Sequence, residues 1–330
     1  MEGLVLRRPA VIESSPLIRS SLTNPEPGRG ELLLEVSACA VCRTDLQLVE
    51  GDIEPHRLPV IPGHQVVGKV AAVGDGITSW SVGQRAGVAW LAGTCGRCSE
   101  CQRGLENLCA EAVFTGWDRD GGYAELTTVL ADFALPIPAD FDDLSAAPLL
   151  CGGVIGYRSL RVSGIAPGER LGLFGFGASA SLAAQVARHW DCEVFVCTRS
   201  KKEQERALAL GAVWSGGYED EIPAPLDAAV TFAPVGDAVV RALKALGRGR
   251  TVAVNAIHLD RVPEFSYEDM WWERSIRSVA NFTREDANEF LDLAASIPIR
   301  TAVSEVPRTS ANEALAQLKA GDADGTLVLT

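Results

Sequence analysis

Arg170-Leu171-Gly172-Leu173-Phe174-Gly175-Phe176-Gly177-Ala178-Ser179-Ala180-Ser181-Leu182-Ala183-Ala184-Gln185-Val186-Ala187-Arg188-His189 runs an apolar segment, a glycine turn and an amphipathic segment together without a break. Arg170–Phe174 has the length and bulk of a buried strand, and Ser179–His189 has helical periodicity. Gly175, Gly177 and Ala180 form G-x-G-x-x-A between them. In a strand-to-helix turn this spacing has a physical use. Gly175 permits the tight reversal, and Gly177 and Ala178 let a pyrophosphate approach the helix N-terminus. The small Ala180 lets the helix lie close to the strand. The uncharged stretch Leu171–Ala187 has roughly the length of a membrane span. Its glycines break it into strand, turn and helix instead.

Downstream the alternation continues. Glu193–Cys197, Ala228–Phe232 and Thr251–Val254 read as strands, Lys201–Leu210 and Asp237–Leu246 as helices. Apolar strands alternating with helices predict a parallel sheet covered on both faces. Upstream of about residue 151 the chain is punctuated by Gly and Pro, with short apolar runs at Glu31–Ala38, Val66–Val73, Ala86–Leu91 and Tyr123–Val129. That pattern predicts a β-rich domain with long loops. The tail adds an edge strand at Ser275–Asn281, helices at Asp286–Ala295 and Ala311–Lys319, and a strand at Thr326–Leu329. A chain of 330 residues is long enough for two such domains.

The formal charge is −13, with 30 Lys and Arg against 43 Asp and Glu and no basic run, which argues against nucleic acid or anionic membranes as partners. Hydrophobic residues at 47% and charged residues at 22% exclude a largely disordered chain. The nine cysteines are an odd count, and the first residues have no apolar stretch suited to a secretory signal. A cytoplasmic protein whose cysteines bind metal is the expectation.

Cys95, Cys98, Cys101 and Cys109 are spaced C-x2-C-x2-C-x7-C. Four thiolates on a short loop suit a closed tetrahedral zinc site, with Gly96 and Gly104 helping the chain to fold round the ion. An ordinary loop of reduced cysteines and a redox-active C-x-x-C pair are the alternatives; the second leaves two cysteines unexplained.

Gly63-His64-Gln65-Val66-Val67-Gly68, followed after five residues by Gly74-Asp75-Gly76-Ile77, resembles the signature of the zinc-containing medium-chain alcohol dehydrogenases. Cys42-Arg43-Thr44-Asp45, the four-cysteine lobe and Pro148-Leu149-Leu150-Cys151-Gly152-Gly153 follow in that family's order. The resemblance covers nearly the whole chain. It implies a GroES-like catalytic domain over residues 1–151 and 285–330, and a Rossmann domain with a doubly wound parallel sheet over residues 152–284. It further implies two zinc ions per chain, with Cys42, His64 and Cys151 as ligands of a catalytic zinc open at its fourth position. Asp45 would orient His64, and Thr44 would take the proton of the substrate hydroxyl.

Two positions depart from the family pattern. Gln47 stands where a proton relay often ends in His, and a neutral amide cannot hold the proton. Gln65 stands where the family carries Glu, close behind the metal. Loss of that charge predicts a more electrophilic zinc with slower exchange; simple space-filling is the alternative.

The end of the second nucleotide-domain strand reads Val196-Cys197-Thr198-Arg199-Ser200-Lys201-Lys202, with no acid before Glu203. NAD enzymes usually place a carboxylate there for the ribose hydroxyls, about twenty residues beyond the glycines. Without it a 2′-phosphate is not repelled, and Thr198, Arg199, Ser200 and Lys201 can receive one, so NADP(H) is favoured over NAD(H). A solvated first helical turn is the plainer account of Lys201 and Lys202. By resemblance Asn255 and Ala256 line the nicotinamide side, and Trp90 and Trp117 flank the substrate.

The expected activity is interconversion of a small-molecule alcohol with an aldehyde or ketone by hydride transfer. The alternatives are an NADPH-dependent double-bond or quinone reductase, disfavoured by the intact ligand set, and a catalytically weak nucleotide-binding member of the family. By analogy the chain forms a homodimer or homotetramer. Trp271 and Trp272 are expected in the core, and His56 without ligand-like company.

Overall fold

The computed structural model describes residues 1–259 and 261–330 and divides into two compact units, Met1–Cys151 with Phe282–Thr330, and Gly152–Asn281. In the second unit six strands form one parallel sheet. From edge to edge they are Trp214–Gly216, Glu193–Cys197, Arg170–Phe174, Ala228–Thr231, Thr251–Val254 and Ser275–Ser278. Numbered in chain order this is 3-2-1-4-5-6, the Rossmann arrangement, whose topological switch lies between the first and fourth strands. Consecutive strand residues point to opposite faces, yet Leu171–Phe174, Val194–Cys197 and Ala228–Thr231 are buried throughout, so both faces of the sheet are covered.

The opening stretch folds as strand Arg170–Phe174, a turn at Gly175-Phe176-Gly177, and helix Ala178–His189. Gly175 has φ +89°, and a Cβ there would lie 2.8 Å from the Ala233 nitrogen, so only glycine fits. Gly177 caps the helix with no side-chain hydrogen bond, and a Cβ on it would meet nothing within 4 Å. The first amides of this helix are therefore neither capped nor covered, as an anion cradle requires.

The first unit is built on a seven-stranded sheet. Val303–Val306, Thr326–Leu329, Glu31–Ala40, Val66–Val73, Arg85–Val88 and Leu135–Pro136 lie side by side, with Leu126–Leu130 also pairing Glu31–Ala40. All pairings are antiparallel except Val303–Val306 with Thr326–Leu329, so the returning tail supplies two strands of the sheet.

Three readings of the sequence are revised. The run Ala86–Leu91 splits, because Leu91–Gly93 leaves the main sheet to pair with Val113–Phe114. The run from Tyr123 becomes a strand only at Leu126, because the Tyr123 amide donates to the Pro62 carbonyl and the Tyr123 carbonyl accepts from Leu4. Trp271 and Trp272 are not core residues: they are 57% and 45% exposed, beside an Arg248 guanidinium 3.7 Å from the Trp272 ring centre.

Candidate functional site

Cys42, His64 and Cys151 converge in the first unit, with one ligand atom from each within 4.8 Å of the others. Cys42 caps the N-terminus of helix Arg43–Glu50, whose third residue, Asp45, folds back to accept from the Cys42 amide at 2.9 Å. The other Asp45 oxygen faces His64 Nδ1 at 2.9 Å and accepts from the Gly63 amide at 3.2 Å. Asp45 is an acceptor at both oxygens, so Nδ1 carries the proton and Nε2 is left for a metal. Burial opposes a charged His64, but the Asp45 carboxylate outweighs it and pushes the imidazole up to about 10. The Cys42 thiol is held well below its ordinary range by a hydrogen bond from Cys151 and by His64, and Cys151 is correspondingly raised. Two sulfurs, one of them the lowered Cys42 thiol, beside a buried imidazole nitrogen are the chemistry of a zinc site with three protein ligands.

Thr44, 5% exposed, sets its hydroxyl 3.8 Å from Cys42 Sγ. Gln47 lies half-buried on the same helix. Gln65, 3% exposed, donates its amide to the Ala40 carbonyl at 3.3 Å. A carboxylate could not make that bond.

Trp90 meets the His64 ring edge-on at 4.9 Å and stacks on Phe114 at 5.2 Å and Trp117 at 5.6 Å. His56 continues the series, stacking on Trp117 at 4.0 Å with Nδ1 2.6 Å from Asp118. His56 thus belongs to this aromatic series and to neither of the two ligand clusters. Phe114 and Tyr123 also belong to the surroundings of the three donors. Tyr123 is wholly buried with its hydroxyl 3.2 Å from Asp45, and burial together with the Asp45 charge lifts the phenol well above its ordinary value. Neither residue has a motif spacing that marks it, since both reach the site only through the fold.

Cys95, Cys98, Cys101 and Cys109 form a second cluster with sulfurs within 4.8 Å of one another. The Cys98 amide donates to Cys95 Sγ at 3.4 Å, and the Cys101 and Cys95 amides to Cys98 and Cys109 Sγ at 3.5 Å. Amides of Arg97 and Cys98 lower the Cys95 thiol to about 7. All four donors are protein atoms, and the set fits a closed tetrahedral zinc. Glu106, inside this lobe, binds Arg284 of the returning segment by backbone and guanidinium at 2.8 to 3.1 Å.

At the nucleotide strand end Arg199 is exposed. Ser200 Oγ caps the following helix, accepting from the Glu203 amide at 3.3 Å, and Lys201 Nζ reaches Gln204 at 3.0 Å. Thr198, 4% exposed, donates its hydroxyl to the Glu203 carboxylate, so an acid does return toward the strand end. Arg206, also missed from sequence, donates to the carbonyls of Phe176 at 2.6 Å and Gly177 at 3.3 Å, and its Nε is buried without a partner among the described residues. The Arg206 guanidinium thereby brings a positive charge to the uncapped glycine turn, which suits an anionic dinucleotide. Asn255 lies at the end of its strand with its amide on Ser159 Oγ at 3.0 Å, followed by the half-buried Ala256.

Residues 28–139 match the alcohol dehydrogenase GroES-like domain. A probable alcohol dehydrogenase of Mycobacterium tuberculosis is 48% identical over all of this chain and 97% of its own length. An alcohol dehydrogenase of Geobacillus stearothermophilus is 35% identical over 92% of this chain and 93% of its own. A cinnamyl alcohol dehydrogenase structure from Sorghum bicolor superposes with a TM-score of 0.90 at 25% identity, covering 99% of this chain and 96% of that one. Likeness at this level along the whole chain, on a Rossmann sheet joined to a GroES-like domain, means that the chain is an oxidoreductase belonging to the zinc-containing medium-chain alcohol dehydrogenases.

Proposed function

We propose that the protein interconverts an alcohol and an aldehyde or ketone at a zinc ion held by Cys42, His64 and Cys151, with NADP(H) preferred over NAD(H). The observation that carries the reading is the convergence of those three donors, with the Thr44 hydroxyl 3.8 Å from one of them, Cys42 Sγ. Zinc in such a site supplies Lewis acidity toward the substrate oxygen, and a nicotinamide supplies or takes up hydride. The chain's own residues do the rest. On oxidation Thr44 accepts the substrate hydroxyl proton as it hands its own hydroxyl proton onward, and on reduction the relay runs in reverse. Asp45 keeps the His64 tautomer and ring fixed. Trp90, with Trp117 stacked behind it, gives the substrate a flat apolar wall. Gln47 has no proton-holding group, so the proton leaves Thr44 by another route. Cys95, Cys98, Cys101 and Cys109 hold a second, structural zinc.

On this reading residues 1–151 with the returning tail perform catalysis and residues 152–281 hold the nucleotide. Gly175, Gly177 and Ala178 receive the pyrophosphate, and Arg199 receives the 2′-phosphate, with Thr198, Ser200 and Lys201 shaping the strand end. The exposed Arg199 supports NADP(H), whereas Glu203 drawn onto Thr198 is the feature that opposes it. Asn255 and Ala256 lie toward the nicotinamide. We also assign a homodimer through the edge strand Ser275–Ser278. It is flanked by exposed Tyr267, Trp271 and Trp272 and by a hollow of about 590 Å³ lined by Arg248, Gly249, Trp271, Trp272 and Glu273. Nine free cysteines support a cytoplasmic location, and among the described residues no helix is long and apolar enough to cross a membrane.

Metal analysis combined with oxidation of NADPH and NADH over a panel of aldehydes tests the reading. Two zinc per chain and a higher kcat/KM with NADPH are expected. Zinc at both sites with no turnover of any carbonyl would overturn the catalytic assignment, and faster turnover with NADH the cofactor assignment.

A further inference from the structure

The Asp45 carboxylate receives four hydrogen-bond donors. Three belong to the metal-ligand loops: the Cys42 amide at 2.9 Å, the Gly63 amide at 3.2 Å and His64 Nδ1 at 2.9 Å. The fourth is the Tyr123 hydroxyl at 3.2 Å, from a distant part of the chain. A phenol facing an ionised carboxylate has only its proton to offer, so Tyr123 is the donor. It has little freedom to do otherwise. The Gly121, Gly122 and Tyr123 amides bond the carbonyls of Ile61, Gly63 and Pro62 at 2.7, 2.8 and 3.0 Å, zipping this segment against the chain that leads into His64. The Tyr123 ring also fills the place of a Gly63 side chain: Gly63 has φ +98°, and a Cβ there would collide with the ring. Glycine before His64 and tyrosine at 123 are therefore complementary.

We propose that Tyr123 is a positioning residue for the Cys42–His64–Cys151 site, its hydroxyl locking Asp45 in the rotamer that serves the Cys42 amide and the His64 ring together, and so governing how long the site keeps its metal. This rests on the reading of those three residues as a zinc site. Loss of the hydroxyl leaves a buried carboxylate oxygen with one fewer donor and frees Asp45 to turn. Groups that orient metal ligands typically change metal affinity about 10- to 100-fold when removed. Tyr123 acts one bond further out than Asp45, so the lower end of that range applies.

The test uses full-length holoprotein with zinc release to a chromogenic chelator followed in time. The Tyr123→Phe variant keeps the ring against Gly63 and deletes only the hydroxyl. Its release from the Cys42 site should be about tenfold faster, with release from the four-cysteine lobe unchanged and melting temperature nearly so. Asp45→Asn should accelerate the same phase by up to about 100-fold. His64→Ala, which should lack that phase, identifies it. Equal acceleration of both phases, or wild-type release in Tyr123→Phe while wild type holds two zinc, overturns the inference alone. A wild-type protein with the same zinc content as His64→Ala overturns the zinc reading, and the inference with it.

Discussion

The two cysteine clusters of the first unit are built in opposite ways. Cys95, Cys98, Cys101 and Cys109 come from one short stretch, and Cys95, Cys98 and Cys101 are only half-buried, with sulfurs held by amides of the same loop. Cys42, His64 and Cys151 come from a helix N-terminus, a loop before a strand and the end of a 3₁₀ turn; the two cysteines are half-buried like those three of the lobe, but His64 is 1% exposed. The first cluster is one short loop folded so that its four sulfurs meet, the arrangement that suits a structural metal. The second is assembled by the sheet and kept in order by one carboxylate. Geometry that a metal itself can organise needs only spacing, whereas geometry that must stay correct with a ligand position open needs a rigid surround.

The difference predicts opposite consequences of removing one ligand. His64→Ala should lose one zinc and depress kcat by at least about 10³-fold, because the electrostatic stabilisation of substrate oxygen goes with it. Its melting temperature should fall only a few degrees, since the sheet assembles the site without help. Cys98→Ser should lose the other zinc and destabilise the lobe, shifting melting or protease resistance more than any substitution in the triad, because structural metal binding is folding free energy. Loss of turnover in Cys98→Ser with the lobe intact would break the division of roles.

The same contrast explains what could be read in advance. The four-cysteine spacing, the glycine turn and the strand–helix alternation are local, so they identify themselves. The triad could be joined only by resemblance, since no spacing links Cys42 to Cys151. Tyr123, Phe114, Arg206 and the Glu106–Arg284 pair carry no local signal at all: Tyr123 matters because Gly121–Tyr123 zips onto Ile61–Gly63, and Glu106 because the tail returns at Arg284. The exposure of Trp271 and Trp272 was likewise illegible, because an aromatic pair has the same composition in a core and on a surface awaiting a partner.

The tether between lobe and tail gives the next effect. Burial opposes ionisation of Glu106, but the Arg284 guanidinium and amide outweigh it and hold the carboxyl below its ordinary 4.5. A depressed carboxyl contributes stability that is complete above its unfolded value and is lost as pH falls through its folded value. Glu106→Gln should therefore cost about 1–3 kcal/mol near neutrality and remove part of the acid sensitivity of the lobe below pH 4.5. Denaturant melts of both proteins from pH 7 downward measure it. Identical curves at every pH would show that the lobe stands without the tail.

The smallest effect concerns Gln65, where the triad departs from its family. Its side-chain nitrogen donates to the Ala40 carbonyl at 3.3 Å, beside the main-chain bond from the Ala40 amide to the Gln65 backbone oxygen at 3.0 Å, so the side chain adds a second tie to the strand that leads toward Cys42. Gln65→Glu exchanges a donor for an acceptor in a buried position, leaving the Ala40 oxygen short of a partner and adding negative charge behind the metal. Both changes act in one direction: the strand end loosens, and a carboxylate becomes available to approach the ion during ligand exchange. Zinc release from the triad should quicken a few-fold and turnover should change by less than about tenfold, with the four-cysteine lobe untouched. If release and turnover both match the wild type, Gln65 only fills space, and the rigidity of the triad comes from Asp45 and its donors alone.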